Sequence, residues 1–106
     1  MTITLITGAA SGIGAAAARR IAGPDSQLML HSRSNRDGLE KVAADVAESG
    51  GFAEIILGDL TDGDFAESLV DETVKRLGGL DQIVSNAGFA DRRLLGDVDA
   101  ESLIKA

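Results

Sequence analysis

The sequence contains no cysteine, no tyrosine and no tryptophan, and it has one proline and one histidine. Without cysteine, disulfides and thiolate metal sites are excluded, which suits a reducing, cytoplasmic compartment. A single histidine also excludes a metal cluster made of histidines alone. No apolar run approaches the length of a membrane span, and the first positive charge, Arg19, comes too late for a signal peptide. We therefore expect no metal site and no membrane partner.

Positive charge is also scarce, since 10 Lys and Arg stand against 17 Asp and Glu, a net charge of −7. This balance argues against nucleic-acid binding, which needs a basic face. It does not exclude an anionic cofactor, because charges farther away than roughly 10 Å are mostly screened. The length of 106 residues fits one small domain, residues 1–106, with a core of its own.

The chain is organised around the segment Thr7–Gly14, with the sequence TGAASGIG, which follows the apolar run Ile3–Ile6. This pattern predicts a buried strand, a tight glycine turn and a helix that begins where the turn ends. Unpaired N–H groups at such a helix start can bind a phosphate without a basic side chain. Gly8 would allow the turn, Gly12 a close approach to a pyrophosphate, and Gly14 close packing of the helix on the sheet.

Apolar spacing alternates between the strand and helix periods along the rest of the chain. The predicted strands are Thr2–Thr7, Gln27–His31, Phe52–Leu57 and Leu80–Ser85. The predicted helices run from Ser11 or Gly12 to Ala22 and over Asp37–Ser49, Asp62–Leu77 and, with Asp99 as its cap, Ala100–Ala106, where the sequence ends. Such alternation predicts an α/β fold, a Rossmann-like three-layer α/β/α arrangement with a parallel sheet in the strand order 3-2-1-4.

Some helix ends and faces are predictable as well. Gly23 followed by Pro24 predicts a left-handed glycine cap at the end of the first helix. Asp62 is the expected N-cap of the third helix, and Thr73 and Val74 are both expected on the face of that helix that packs against the core. His31 is expected to be a strand-end residue with no chemical role.

The carboxyl ends of the strands are where a sheet of this kind binds its ligand. Four segments meet there, each at the end of its own strand: Thr7–Gly14, Ser32–Arg36, Asp59–Leu60 and Asn86–Gly88. Their convergence predicts a binding site at this edge.

With these motifs the chain resembles the short-chain dehydrogenases/reductases over its whole length. TGAASGIG is similar to that family's T-G-x-x-x-G-x-G cofactor loop, and Asp59-Leu60 is similar to its adenine-contact pair. Asn86-Ala87-Gly88 is similar to its N-N-A-G motif, with Ser85 in place of the first asparagine.

The resemblance also implies roles. The backbone N–H of Ile13 would donate to the pyrophosphate, Asp59 would accept from the adenine amino group, and the Leu60 backbone would contact the ring. Asn86 would brace the fourth strand, and Ala87-Gly88 would line the nicotinamide-side ribose. The predicted cofactor-binding residues are Gly8, Ser11, Gly12, Ile13, Gly14, Ser32, Arg33, Asp59, Leu60, Asn86, Ala87 and Gly88.

The choice between NAD and NADP depends on the end of the second strand. An acidic residue about 20 positions after the glycine turn would bind the ribose 2′-hydroxyl of NAD. Counting from Gly12 leads to Ser32 and then Arg33, and no Asp or Glu lies between Gln27 and Arg36. Serine and arginine would bind a 2′-phosphate, and Arg36 could contribute. The sequence therefore predicts NADP(H), with NAD(H) as the alternative.

The resemblance implies hydride transfer between the nicotinamide and a carbonyl or alcohol carbon, with a tyrosine as acid/base and a lysine, a serine and an asparagine in support. This chain has no tyrosine, and we expect the other groups beyond Ala106. No catalytic residue is assigned. The chain is thus expected to be the N-terminal, cofactor-binding portion of an enzyme, which binds without turnover. The small-molecule substrate would bind only in the intact enzyme.

Two other functions stay open at this point. An S-adenosylmethionine-binding enzyme could share the fold, but Ser32-Arg33 stands where its ribose-binding acid would be. A non-catalytic nucleotide-binding or scaffold module could use the open edge of the fourth strand for a partner. Because proteins seldom leave such an edge bare, we expect a homo-oligomer with strand 4 or Ala100–Ala106 at the contact.

Overall fold

The computed structural model describes residues 2–85, so the Asn86-Ala87-Gly88 motif and the expected last helix lie outside the described residues. Strands and helices alternate along this part of the chain. They are β1 (Thr2–Ile6), α1 (Gly12–Ile21), β2 (Ser26–Ser32), α2 (Arg36–Glu48), β3 (Phe52–Leu57), α3 (Gly63–Leu77) and β4 (Gln82–Val84).

The four strands form one parallel sheet in the order β3-β2-β1-β4, which confirms the predicted fold. In the centre of the sheet, Leu5 of β1 lies opposite Met29 of β2 and Ile83 of β4. This order leaves the carboxyl ends of β1, β2 and β3 side by side at one edge, where the glycine-rich segment begins.

Each face of the sheet carries its own apolar core. One core, against α1 and α2, contains Ile6, Ala9, Ala15, Ala18, Leu28, Leu30, Leu39, Val42 and Val46. The other, against α3, contains Leu5, Met29, Leu60, Ala66, Leu69 and Leu77. Successive strand residues therefore alternate between two cores, which explains the uninterrupted apolar run Leu28–Leu30 in β2.

The end of α1 differs from its prediction. The C-cap is Ala22, in an extended conformation (φ −57°, ψ 137°), and Gly23 is not among the described glycines with positive φ. The Ser26 hydroxyl instead lies 2.8 Å from both the N and the O of Gly23, and the Ser26 amide donates to the same carbonyl at 3.0 Å. The predicted left-handed cap at Gly23 is therefore wrong. Hydrogen bonds between Ser26 and Gly23 close the turn that leads into β2 instead.

The start of α3 is as predicted, but one of its faces is not. The Asp62 side chain accepts from the amides of Asp64 at 2.9 Å and Phe65 at 3.4 Å, which confirms the N-cap. Val74, however, is 43% exposed. Thr73 is buried as expected, with its hydroxyl donating to the Leu69 carbonyl at 2.8 Å. The satisfied hydroxyl lets a polar residue occupy the inward face.

Several boundaries also differ from the prediction. β2 extends to Ser32, one residue beyond the prediction, and β4 covers only Gln82–Val84. α2 begins at Arg36, with the Asn35 side chain accepting from the Gly38 amide at 2.9 Å. No helix within residues 2–85 is long and apolar enough to cross a membrane.

Candidate functional site

The glycine-rich segment forms a compact cradle between β1 and α1. Gly8 and Gly12 have positive φ, 62° and 60°, which side-chain-bearing residues rarely adopt. A Cβ on Gly14 would press against the Gly8 carbonyl oxygen and lie 2.9 Å from its carbonyl carbon. Gly14 therefore permits close packing, as predicted, but its partner is the backbone of the turn and not the sheet.

The N-terminus of α1 presents exposed donors. Ser11 is the N-cap, and its side chain makes no capping hydrogen bond. In the described part of the chain, the amides of Gly12, Ile13 and Gly14 have no protein acceptor. Ser11, Gly12 and Ile13 are exposed, the last with 75% of its surface accessible. Unpaired N–H groups at the positive end of a helix can bind an anion.

His31 contacts the start of the cradle, at Gly8 and Ala9. The residue is buried, with 2% of its surface exposed. Its carbonyl accepts from the Ala9 amide at 2.7 Å, and its Nδ1 accepts from the Gly8 amide at 3.4 Å. Its Nε2 lies 2.8 Å from the carbonyl oxygen of Gly58, at the end of β3. Sequence analysis missed these links, because a lone histidine in an apolar strand carries no pattern that specifies distant partners.

The end of β2 brings Ser32 and Arg33 next to Asp59. Ser32 is buried, and its Oγ accepts from the Asn35 amide at 3.2 Å. The Arg33 side chain is 79% exposed, and its Nη2 lies 3.4 Å from Oδ2 of Asp59. Two predicted cofactor-binding groups therefore form an ion pair with each other.

Arg36 does not belong to that group of side chains. It is the first residue of α2, and its Nε lies 3.2 Å from Oε2 of Glu40 in the same helix. The position of Arg36 therefore does not favour the contribution to 2′-phosphate binding that the sequence suggested.

Asp59 opens a tight turn. Its Oδ1 accepts from the Thr61 hydroxyl at 2.7 Å and from the Thr61 amide at 2.9 Å. These two bonds, and then the positive charge of Arg33, hold the pKa of the Asp59 carboxyl below its ordinary value of 3.8. The next residue, Leu60, buries its side chain in the core against α3, which anchors the turn.

A second glycine contact lies at the start of α2. A Cβ on Gly38 would be 2.7 Å from the Ala10 carbonyl oxygen and 2.7 Å from Nδ2 of Asn35. α2 thus packs directly on the cradle. Sequence analysis missed this contact, although a glycine near the start of a predicted helix, where it lowers helix propensity, is a signal that could have indicated it.

The fourth segment of the predicted site lies largely outside the described residues. Its first residue, Ser85, is described, and the hydroxyl of Thr7 donates to its Oγ at 3.4 Å. The Thr7 amide donates to the Val84 carbonyl at 3.0 Å. These contacts join the start of the cradle to the end of β4. Among residues 2–85, no three His, Asp or Glu side chains are grouped so that they could hold a metal ion.

Comparison with known proteins gives concordant matches. The family model for short chain dehydrogenases matches residues 2–106. An uncharacterised oxidoreductase of Mycobacterium tuberculosis is 41% identical over 96 residues, which are 88% of this chain and 28% of that protein. The chain thus spans less than a third of the length of this curated relative.

Solved structures show the same likeness. The crystal structure of a short-chain type dehydrogenase/reductase from Mycobacterium marinum matches with a TM-score of 0.75 and 38% identity, over 82% of this chain and 35% of the other. The NAD⁺-bound structure of a xylitol dehydrogenase matches with a TM-score of 0.75 and 36% identity, over 82% of this chain and 33% of the other.

Proposed function

This chain belongs to the short-chain dehydrogenase family, and we propose that it is the NADP(H)-binding portion of an oxidoreductase that transfers hydride between this cofactor and a carbonyl or alcohol substrate. When bound, the nicotinamide supplies the hydride donor or acceptor. The residues of this chain bind the cofactor and orient it.

The cradle fits the diphosphate of a dinucleotide. Within residues 2–85, the amides of Gly12, Ile13 and Gly14 have no protein acceptor; Gly12 and Ile13 are exposed, as is Ser11 beside them, whereas Gly14 is buried. Apart from its own neighbours in the chain and in α1, no described residue has an atom within 4 Å of a Cβ built on Gly12, so its outer side is open for a ligand. Exposed amides and an open approach are what backbone recognition of phosphate requires.

The observation that carries the NADP(H) assignment is the pairing of Ser32 and Arg33 at the end of β2. Arg33 is exposed, and its contact with Asp59 is an ion pair at the surface, which contributes little to stability. A guanidinium also has several donors, so a 2′-phosphate could bind Arg33 without much competition from Asp59. The Ser32 hydroxyl accepts from Asn35, which leaves its own hydrogen as a donor.

NAD(H) is the second candidate, and two observations favour it. The Asp59 carboxylate lies beside Arg33 and reduces the positive charge that a 2′-phosphate would meet. In addition, the similar xylitol dehydrogenase structure is bound to NAD⁺. The two cofactors must therefore be compared directly.

Calorimetric titration of the 106-residue chain with each cofactor tests the assignment. We expect tighter binding of NADP(H), and we expect Arg33→Ala to weaken it by about 1.5–3 kcal/mol, the range for a charged hydrogen bond, without a change for NAD(H). Arg36→Ala is the matched control, because Arg36 pairs with Glu40 on α2. Equal affinities for NAD(H) and NADP(H) in the unmutated chain would contradict the proposal.

We further propose that this chain binds the cofactor without turnover, since it contains no tyrosine to act as acid/base. The substrate would bind only in the intact enzyme. A cytoplasmic site of action belongs to the same proposal, and the absence of cysteine supports it.

Self-association is proposed on separate grounds. Among the described strands β4 pairs only with β1, so its other edge has no described partner, and Ile83 and Val84 are half-buried. Such an edge favours pairing with another chain. Light scattering should find a dimer or a larger assembly. A monomer in which hydrogen exchange shows β4 to be protected would contradict self-association. If the chain bound no cofactor, that result would support a scaffold role instead.

A further inference from the structure

The imidazole ring of His31 is buried between two segments of the cofactor site. Its centroid lies 5.7 Å from that of the Phe65 ring, at an interplanar angle of 35°. A Cβ on Gly58 would collide with the Phe65 ring, so glycine at this position lets ring and backbone come together. The packing leaves the ring little freedom to turn, which fixes the directions of its two nitrogen atoms.

On one side, His31 determines how the cradle begins. Its Nδ1 and its carbonyl oxygen accept from the consecutive amides of Gly8 and Ala9. Gly8 thus has its N–H, in the peptide with Thr7, on the His31 ring and its carbonyl oxygen, in the peptide with Ala9, against Gly14 in the first turn of α1. Gly8 therefore links the His31 ring to the first turn of α1, and the position of the helix start depends on this contact.

On the other side, His31 holds the end of β3. Nε2 bonds the Gly58 carbonyl at 2.8 Å, while the Gly58 amide donates to the Ser32 carbonyl at 3.1 Å. Gly58 precedes Asp59, whose carboxylate faces Arg33. The ring therefore joins the helix start, where the diphosphate would bind, to the turn where adenosine would bind.

These partners define one form of the ring. The Gly8 amide requires an acceptor at Nδ1, and the Gly58 carbonyl requires a donor at Nε2, so the ring is neutral with its proton on Nε2. We propose that His31, in this tautomer, is a positioning residue that couples the two halves of the cofactor site. The proposal rests on the proposed function, and it assigns His31 no contact with the cofactor.

Three substitutions separate the two bonds. His31→Asn places an acceptor near the position of Nδ1 and loses the donor, His31→Gln can place a donor near that of Nε2, and His31→Leu loses both. We expect His31→Leu to weaken NADP(H) binding about tenfold and the two amide variants to weaken it about threefold each. Val46→Ala is the control for lost stability, because Val46 is buried in the core far along α2. It should lower the melting temperature and leave the affinity unchanged.

A second measurement does not depend on any variant. The nitrogen NMR spectrum of the imidazole in the unmutated chain should show a neutral ring with its proton on Nε2. A ring protonated on Nδ1, or a cationic ring at neutral pH, would overturn the proposal even if His31→Leu fails to fold. The proposal would also be overturned if folded His31→Leu bound NADP(H) within twofold of the unmutated chain, or if Val46→Ala lost as much NADP(H) affinity as His31→Leu. If the unmutated chain binds no NADP(H), the proposed function fails. The NMR measurement of the His31 tautomer still tests whether the ring links Gly8 to Gly58.

Discussion

Nη2 of Arg33 lies 3.4 Å from Oδ2 of Asp59, so the ends of β2 and β3 are joined by opposite charges. The cation proposed to bind a 2′-phosphate and the carboxylate proposed to bind the adenine amino group thus belong to one pair. Because the arginine is mostly exposed, either side chain can exchange its partner for a ligand at little energetic cost.

Removing the charge of Asp59 should increase the preference for NADP(H). Asp59→Asn retains Oδ1 as an acceptor for Thr61 and takes the carboxylate away from Arg33. We expect the ratio of NAD(H) to NADP(H) dissociation constants to rise about two- to fivefold, the effect of an exposed ion pair. The adenine contact cancels in this ratio, because both cofactors carry the same ring. Glu40→Gln is the control, and an unchanged ratio in Asp59→Asn would show that the pair does not affect selectivity.

The cradle should not tolerate a methyl group at Gly14. Gly14→Ala forces its Cβ against the Gly8 carbonyl, and we expect a loss of about 1–3 kcal/mol in unfolding free energy together with weaker cofactor binding. Gly63→Ala is the matched control at the start of α3, where no residue of the range 2–85, apart from its own helix neighbours, lies within 4 Å of the new Cβ. It should be neutral or slightly stabilising. Urea unfolding measures both variants, and equal effects would contradict the described packing.

The pKa of Asp59 should respond to Thr61 more than to Arg33. The folded-state pKa lies below 3.8, so the stabilisation from this carboxylate is complete above that pH and is lost as pH falls through the folded-state pKa. Thr61→Val removes the hydroxyl bond, the largest cause of the shift, and should raise the pKa more than Arg33→Ala does. Carbon NMR titration of the carboxyl decides this order, and the reverse order would contradict it.

The buried and exposed faces of α3 should differ sharply in stability. Leu69 is fully buried, so Leu69→Ala should lower the unfolding free energy by about 2–5 kcal/mol. Val74→Ala should change it by less than about 0.5 kcal/mol, because Val74 is largely exposed. Denaturant unfolding with a common slope makes the comparison. A loss of unfolding free energy in Val74→Ala as large as that in Leu69→Ala would contradict the exposed position of Val74 and support the inward position that the sequence predicts.

The sequence by itself determined the architecture. Apolar runs bounded by glycine predict strands buried on both faces, and right-handed crossovers leave few orders for them, so β3-β2-β1-β4 followed. The N-cap at Asp62 and the cradle at Thr7–Gly14 were equally predictable from the sequence, because their geometry depends on residues adjacent in the chain.

Only the tertiary structure decided how the site is held together. The links from His31 to Gly8 and Gly58, and the ion pair of Arg33 with Asp59, join residues 23 to 27 positions apart. Periodicity states which face a side chain occupies, but not which atom it meets, since that depends on how closely separate elements approach. The same reason explains Gly38 against Ala10, a steric contact that exists only once α2 has packed on the cradle.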